Sequence, residues 1–237
     1  MLMFDLRRSI LSLRMVVVVL MGLAILFLPA VYVKVNENRW MWQNDLIGCY
    51  QDATGFGVYL FCAPALASLC GSNLYARDQS NGFTSLALPR AGKARYIISK
   101  ILCCGFSGGL SLMLPVALFV FAYMLIHLSA LPCGEELRLI AEEALLFIPY
   151  GFSWAILGLG ISCVLKLDYA AYASPYAIAM LLRLFASLSG IKWVSPNGLV
   201  SPLNTMLKPL WQNVAYQSTI ILISIGLMIT GINKWES

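Results

Sequence analysis

Long apolar runs, each closed by a short polar interval, recur along the whole chain. The opening stretch MLMFDLRRSILSLR sets Leu2, Leu6, Ile10 and Leu13 at helical spacing and leaves Arg7, Arg8 and Arg14 on the remaining face. That pattern predicts an amphipathic helix over residues 1–14, lying in a membrane interface. Residues 15–33 form an almost uncharged run. It is too long for the apolar core of a signal peptide and has no clean small-x-small cleavage site, so it is expected to be the first membrane span. Further spans are predicted at 58–76, 101–128, 145–164, 173–188 and 213–232. The third holds Gly105, Gly108 and Gly109 for close helix approach and Pro115 for a kink.

The intervals between the runs are equally distinct. Residues 36–57 are polar and carry Trp40, Trp42 and Tyr50, as suits an outer loop at the headgroup level. Glu135, Glu136, Glu142 and Glu143 surround Arg138, beside leucines that suggest a short helix on the outer surface before the fourth span. Residues 191–212 are too polar and proline-punctuated to span, and are expected to dip into the outer leaflet and return. The interval RDQSNGFTSLALPRAGKARYIISK, residues 77–100, sets five basic residues against Asp78. Lysine and arginine favour cytoplasmic loops. Putting Arg7, Arg8, Arg14, Arg77, Arg90, Lys93, Arg95, Lys100, Lys166 and Lys234 inside leaves only Lys34, Arg39, Arg138, Lys192 and Lys208 outside, so both termini are expected in the cytoplasm.

Composition agrees with this reading. The 237 residues are 60% hydrophobic and 11% charged, with a mean hydropathy of +0.79, far from the roughly one-quarter charged content of soluble domains. At about 20 residues per crossing the length accommodates about six spans in a single transmembrane domain, 1–237. The fold class expected is therefore an all-α membrane protein. The net charge of +5 lies beside apolar segments instead of forming a stripe with aromatics, so no nucleic-acid partner is expected. The seven cysteines show no CxxC spacing and no metal site is expected; Cys49 and Cys133, both placed outside, are candidates for a disulfide.

Candidate chemistry is sparse. His127 and the Gly151–Ser153 tripeptide Gly-Phe-Ser do not fall in the order of a serine hydrolase of rhomboid kind, and neither HExxH nor a Walker A loop occurs. No enzyme is expected in this chain. Arg183 is the one charge inside a predicted span, either a functional group or a cation that snorkels or pairs with a loop acid or with helix-end carbonyls. Within 77–100, Phe83, Leu86, Ala87 and Leu88 make a short apolar run after Gly82 that ends at Pro89, as in a short amphipathic helix that a peripheral partner could grip.

Asp78, Gly82, the leucine-containing turn to Pro89, the basic stretch and Tyr96-Ile97-Ile98-Ser99-Lys100 together resemble the loop between the second and third spans of ABC-2 type transporter permeases. The order of an interfacial helix, six spans and a re-entrant external segment before the last resembles that family too. The resemblance implies a membrane subunit of a bacterial inner-membrane ABC exporter, carrying a lipophilic or peptide substrate. Asp78, Gly82, Phe83, Leu86, Pro89 and Arg90 would form a cytoplasmic coupling helix docked on a separate ATPase subunit. That subunit would bind ATP and Mg, and this chain no cofactor of its own. A second permease copy, or a related one, would pack against the second and fifth spans, with membrane lipid around the pair and the 191–212 segment at the exit. The alternative is a membrane scaffold, sensor or immunity protein that transports nothing.

Overall fold

The computed structural model describes residues 2–37, 45–55, 58–83, 92–127, 134–189 and 210–236, and among them every regular element is a helix. In chain order these are α1 (Leu2–Ile10), α2 (Leu13–Glu37), α3 (Leu46–Gly55), α4 (Val58–Leu69), α5 (Leu74–Ser80), α6 (Lys93–Ile126), α7 (Gly134–Leu165), α8 (Ala170–Ser189) and α9 (Leu210–Glu236). Five stretches are long and apolar enough to cross a bilayer: Val58–Ser80, Lys93–Ile126, Gly134–Leu165, Ala170–Ser189 and Val214–Asn233. The stretch Leu13–Pro29 of α2 is a shorter apolar helix. Large apolar side chains, among them Leu20, Phe121, Leu188 and Leu222, point outward from these helices. Helices apolar on every face are what a lipid solvent requires.

At the centre stands α7, packed against α6, α9, α8 and α4. Small residues let it come close. A Cβ on Gly151 would strike the carbonyl of Gly108, and one on Gly109 would sit 2.8 Å from the carbonyl oxygen of Ile148. Serine hydroxyls pin the same contacts, with Ser72 Oγ donating to the Ala155 carbonyl at 2.8 Å and Ser162 Oγ to the Ser72 carbonyl at 3.1 Å. Among the described residues the largest fully buried side chain is Trp154.

Several boundaries differ from the sequence expectation. The acidic outer interval and the fourth span are one continuous helix, α7, of 32 residues. At about 1.5 Å per residue it is about 48 Å long against about 30 Å of hydrocarbon. Glu143, expected on an outer surface, is buried against the bundle. The polar interval after the first span contains α3. Its Leu46, Cys49, Tyr50 and Ala53 recur at helical spacing and are all buried, and Asp45 caps it by accepting the Gly48 N–H at 3.2 Å. Tyr50 is thus a core residue and not a headgroup anchor, while Trp40 and Trp42 lie outside the described residues. The second apolar run is interrupted at residues 70–73, where Cys70, Gly71, Ser72 and Asn73 form turns between α4 and α5. Helix α6 begins eight residues before the expected third span. Within the expected re-entrant segment 191–212, residues 191–209 lie outside the described residues and 210–212 already belong to α9.

Candidate functional site

Helix α5 ends as a helix with a glycine C-cap does: Asn81 N–H bonds the Arg77 carbonyl at 3.2 Å, and Gly82 follows at φ +67°. Phe83, directly after this reversal, is 41% exposed. The chain re-enters the described residues at Gly92, φ +77°, whose carbonyl accepts the Tyr96 N–H in the first turn of α6. The segment 82–92 is therefore bounded by two backbone conformations that L side chains rarely adopt. Leu86, Pro89 and Arg90 lie outside the described residues.

The base of this segment is held by charge. Lys100 is fully buried on α6, with its Nζ 2.6 Å from Asp78 Oδ2 of α5 and 3.0 Å from Asp5 Oδ2 of α1. Arg8 of α1 reaches Asp78 Oδ1 at 3.3 Å. Tyr96 donates its hydroxyl to Asp78 Oδ2 and Ser99 its hydroxyl to Asp5 Oδ2, both at 3.4 Å. The lysine meets its carboxylates as ion pairs and not as well-directed hydrogen bonds. Two acids and two bases balance, which is the condition for burying charge at all.

This arrangement corrects one expectation. Asp78 is turned inward and fully buried, so its carboxylate holds α1 and α6 and is not presented to a partner. Helix α1 buries Asp5 and Ser9, one turn apart, against the protein. The side of α1 turned to the protein is thus polar at these two positions, and its apolar Leu6 and Ile10 are left partly uncovered. Sequence reasoning missed Asp5, Arg8, Tyr96, Ser99 and Lys100 as one group. The available signal was the pair Asp5 and Ser9 at i and i+4, beside a Tyr96–Lys100 pair at the same spacing, but nothing in the chain says that the two faces meet.

Arg183 of α8 donates Nη2 to the Leu60 carbonyl of α4 at 2.7 Å and lies 4.8 Å over the Phe61 ring. That carbonyl is available for a reason visible in sequence: Pro64, four residues on, has no N–H to give it. Arg183 thus pairs with a backbone carbonyl in the first turn of α4 and not with a loop acid. Ser153 donates to the Tyr150 carbonyl of its own helix at 2.8 Å, and His127 stacks on Tyr123 with ring centroids 4.5 Å apart. The two are not hydrogen-bonded to one another. Cys49 is a buried free thiol, and Cys133, its candidate partner, lies outside the described residues. Among the described residues no three His, Cys, Asp or Glu side chains gather as metal ligands.

No described protein family, no curated protein and no solved structure matches this chain.

Proposed function

We propose that this chain is the permease subunit of an ATP-driven ABC exporter of the ABC-2 type. It crosses a bacterial inner membrane six times with both termini in the cytoplasm, and segment 77–100 receives a separate ATPase subunit. The observation that carries the reading is the charge cluster Asp5–Arg8–Asp78–Lys100, which fastens α5 to the 34-residue helix α6 and to α1. A push delivered at Phe83 passes through Asp78 into α6 and thence to the bundle. Phe83 is 41% exposed just beyond the glycine cap, an apolar side chain that the described residues leave partly uncovered. In this reading Phe83 and Leu86 make the contact, with Gly82, Pro89 and Arg90 shaping it, and Asp78 is a positioning residue. ATP and Mg bind the partner. Closure of two ATPases rocks two permease copies against one another and moves a lipophilic or peptide substrate across.

The test is purification of the full chain from its own host in mild detergent, with ATP hydrolysis measured on the eluted complex. The wild type brings ATP hydrolysis with it, and Phe83→Glu with Leu86→Glu loses that activity without a change in its own thermal unfolding. A chain that elutes without ATP hydrolysis, or a variant that keeps it, overturns the reading.

A further inference from the structure

We propose that an open groove between α2 and α8 binds an anionic phospholipid, with an acyl chain along the groove and the phosphate at Arg14. The groove encloses about 350 Å³ and is lined by Leu13, Val17, Val18 and Met21 of α2, by Leu69 of α4, and by Arg14 and Tyr172 at one end. That volume is at the lower end of the roughly 300–1,000 Å³ of small-molecule sites. Its α2 wall covers two turns of one helical face, about 12 Å of apolar length, and an acyl chain fits such a surface whereas a polar solute does not.

The end of the groove supplies the headgroup chemistry. Arg14 is exposed, and its Nη1 donates to Asn73 Oδ1 at 3.2 Å and to the Tyr172 hydroxyl at 3.0 Å. These two bonds hold the guanidinium at the mouth while leaving Nε and Nη2 without a partner among the described residues. Among the described residues no carboxylate pairs with it there. Tyr172 also lies within electrostatic reach of Arg77 and of Asp168, so two arginines face one acid and the mouth is net cationic. A fork of N–H groups with unspent positive charge, above an apolar trough, matches a phosphodiester on a lipid tail.

Charge also selects against a second copy of this chain. A two-fold contact brings the same patch to itself, so Arg14 would meet the partner copy's arginine at the rim. A lipid brings the opposite charge. The inference does not depend on transport, because it concerns a lipid in a groove on the side of the bundle, whatever docks on the 77–100 segment.

Native mass spectrometry of the full chain, with palmitoyl-oleoyl phosphatidylglycerol or the zwitterionic phosphatidylcholine of the same chains added, tests it. The wild type retains phosphatidylglycerol in preference. Arg14→Gln lowers that binding about fivefold, the worth of one basic residue near an anionic surface, and leaves phosphatidylcholine unchanged. Arg14→Lys restores part of the preference, and Val17→Trp, which fills the trough from its exposed side, lowers binding of both lipids. Equal retention of the two lipids, or no effect of Arg14→Gln in a variant with unchanged thermal unfolding, overturns the proposal. So does a dimer that Val17→Trp dissociates while phosphatidylglycerol binding stays intact. Should Arg14→Gln fail to fold, Arg14→Lys and Val17→Trp decide the matter.

Discussion

Replacing Lys100 by methionine keeps most of the side-chain volume and removes one charge. In the native protein that ammonium is fully buried and lies 2.6 Å from Asp78 and 3.0 Å from Asp5. Without it, two carboxylates that reached for one cation confront each other in a site without solvent. Asp78 keeps Arg8, which is 28% exposed and 3.3 Å away; among the described residues Asp5 keeps only the Ser99 hydroxyl at 3.4 Å. Removing one partner from a buried ion pair costs about 3–5 kcal/mol. For a chain of this size that is a fall in midpoint of at least roughly 6 °C, at roughly 2–4 °C per kcal/mol. The contrast is the surface pair Arg138–Glu142, with side chains 79% and 56% exposed, whose loss costs under about 1 kcal/mol. The assay is thermal unfolding in detergent followed by tryptophan fluorescence. Adding Asp5→Asn to Lys100→Met removes one of the opposed carboxylates, and recovers about 1 kcal/mol or more as a coupling between neighbours. A Lys100→Met protein no less stable than Arg138→Gln, or a double variant worse than the sum of its parts, refutes the reasoning.

Three further outcomes follow from the packing. Arg183→Leu destabilises by about 1.5–3 kcal/mol, the worth of a charged hydrogen bond, and by less in a Pro64→Ala background, where residue 64 regains the N–H that Leu60 lacks; equal effects in both backgrounds contradict the pairing. Gly151→Ala costs about 1–3 kcal/mol because its Cβ meets the Gly108 carbonyl, whereas Gly226→Ala, with nothing within 4 Å of a Cβ, is neutral or stabilising, both read by thermal unfolding. Burial, with Asp52 and Asp45 adding to it, pushes the Cys49 thiol up to about 12. A raised value leaves the thiol protonated at pH 8, so peptide mapping finds Cys49 unalkylated by maleimide in the native protein, alkylated after unfolding, and free of a disulfide without reductant.

How much of this was legible in the chain depends on the range of the interaction that decides each feature. The apolar runs are local and strong, and the helices expected at 58, 173 and 213 begin within three residues of where their patterns place them, while α6 begins eight residues early. Helix α3 was equally legible, since Leu46, Cys49, Tyr50 and Ala53 keep helical spacing behind an Asp45 cap, but the surrounding polar and aromatic residues suggest a headgroup loop. The continuity of α7 was hidden because four glutamates in its first turns mark an aqueous segment, while a helix longer than the hydrocarbon carries such residues without breaking. Close approach at Gly108 and Gly109 could be anticipated from residue size; that Gly151 is the surface they meet could not. The charge cluster was the least legible. Lys100 lies 95 residues from Asp5, and in sequence it counts as one more basic residue that orients the loop. Its burial depends on α1 folding back with Asp5 inward.

The account rests on segment 77–100 being a docking site whose force enters the bundle through Asp78. The most direct measurement is ATP hydrolysis by the complex that elutes with the full chain, compared between wild type and Phe83→Glu. The account predicts hydrolysis with the wild type and its loss in the variant, whose own unfolding midpoint is unchanged. A wild-type chain that elutes alone, or a Phe83→Glu chain that keeps the full activity, contradicts it.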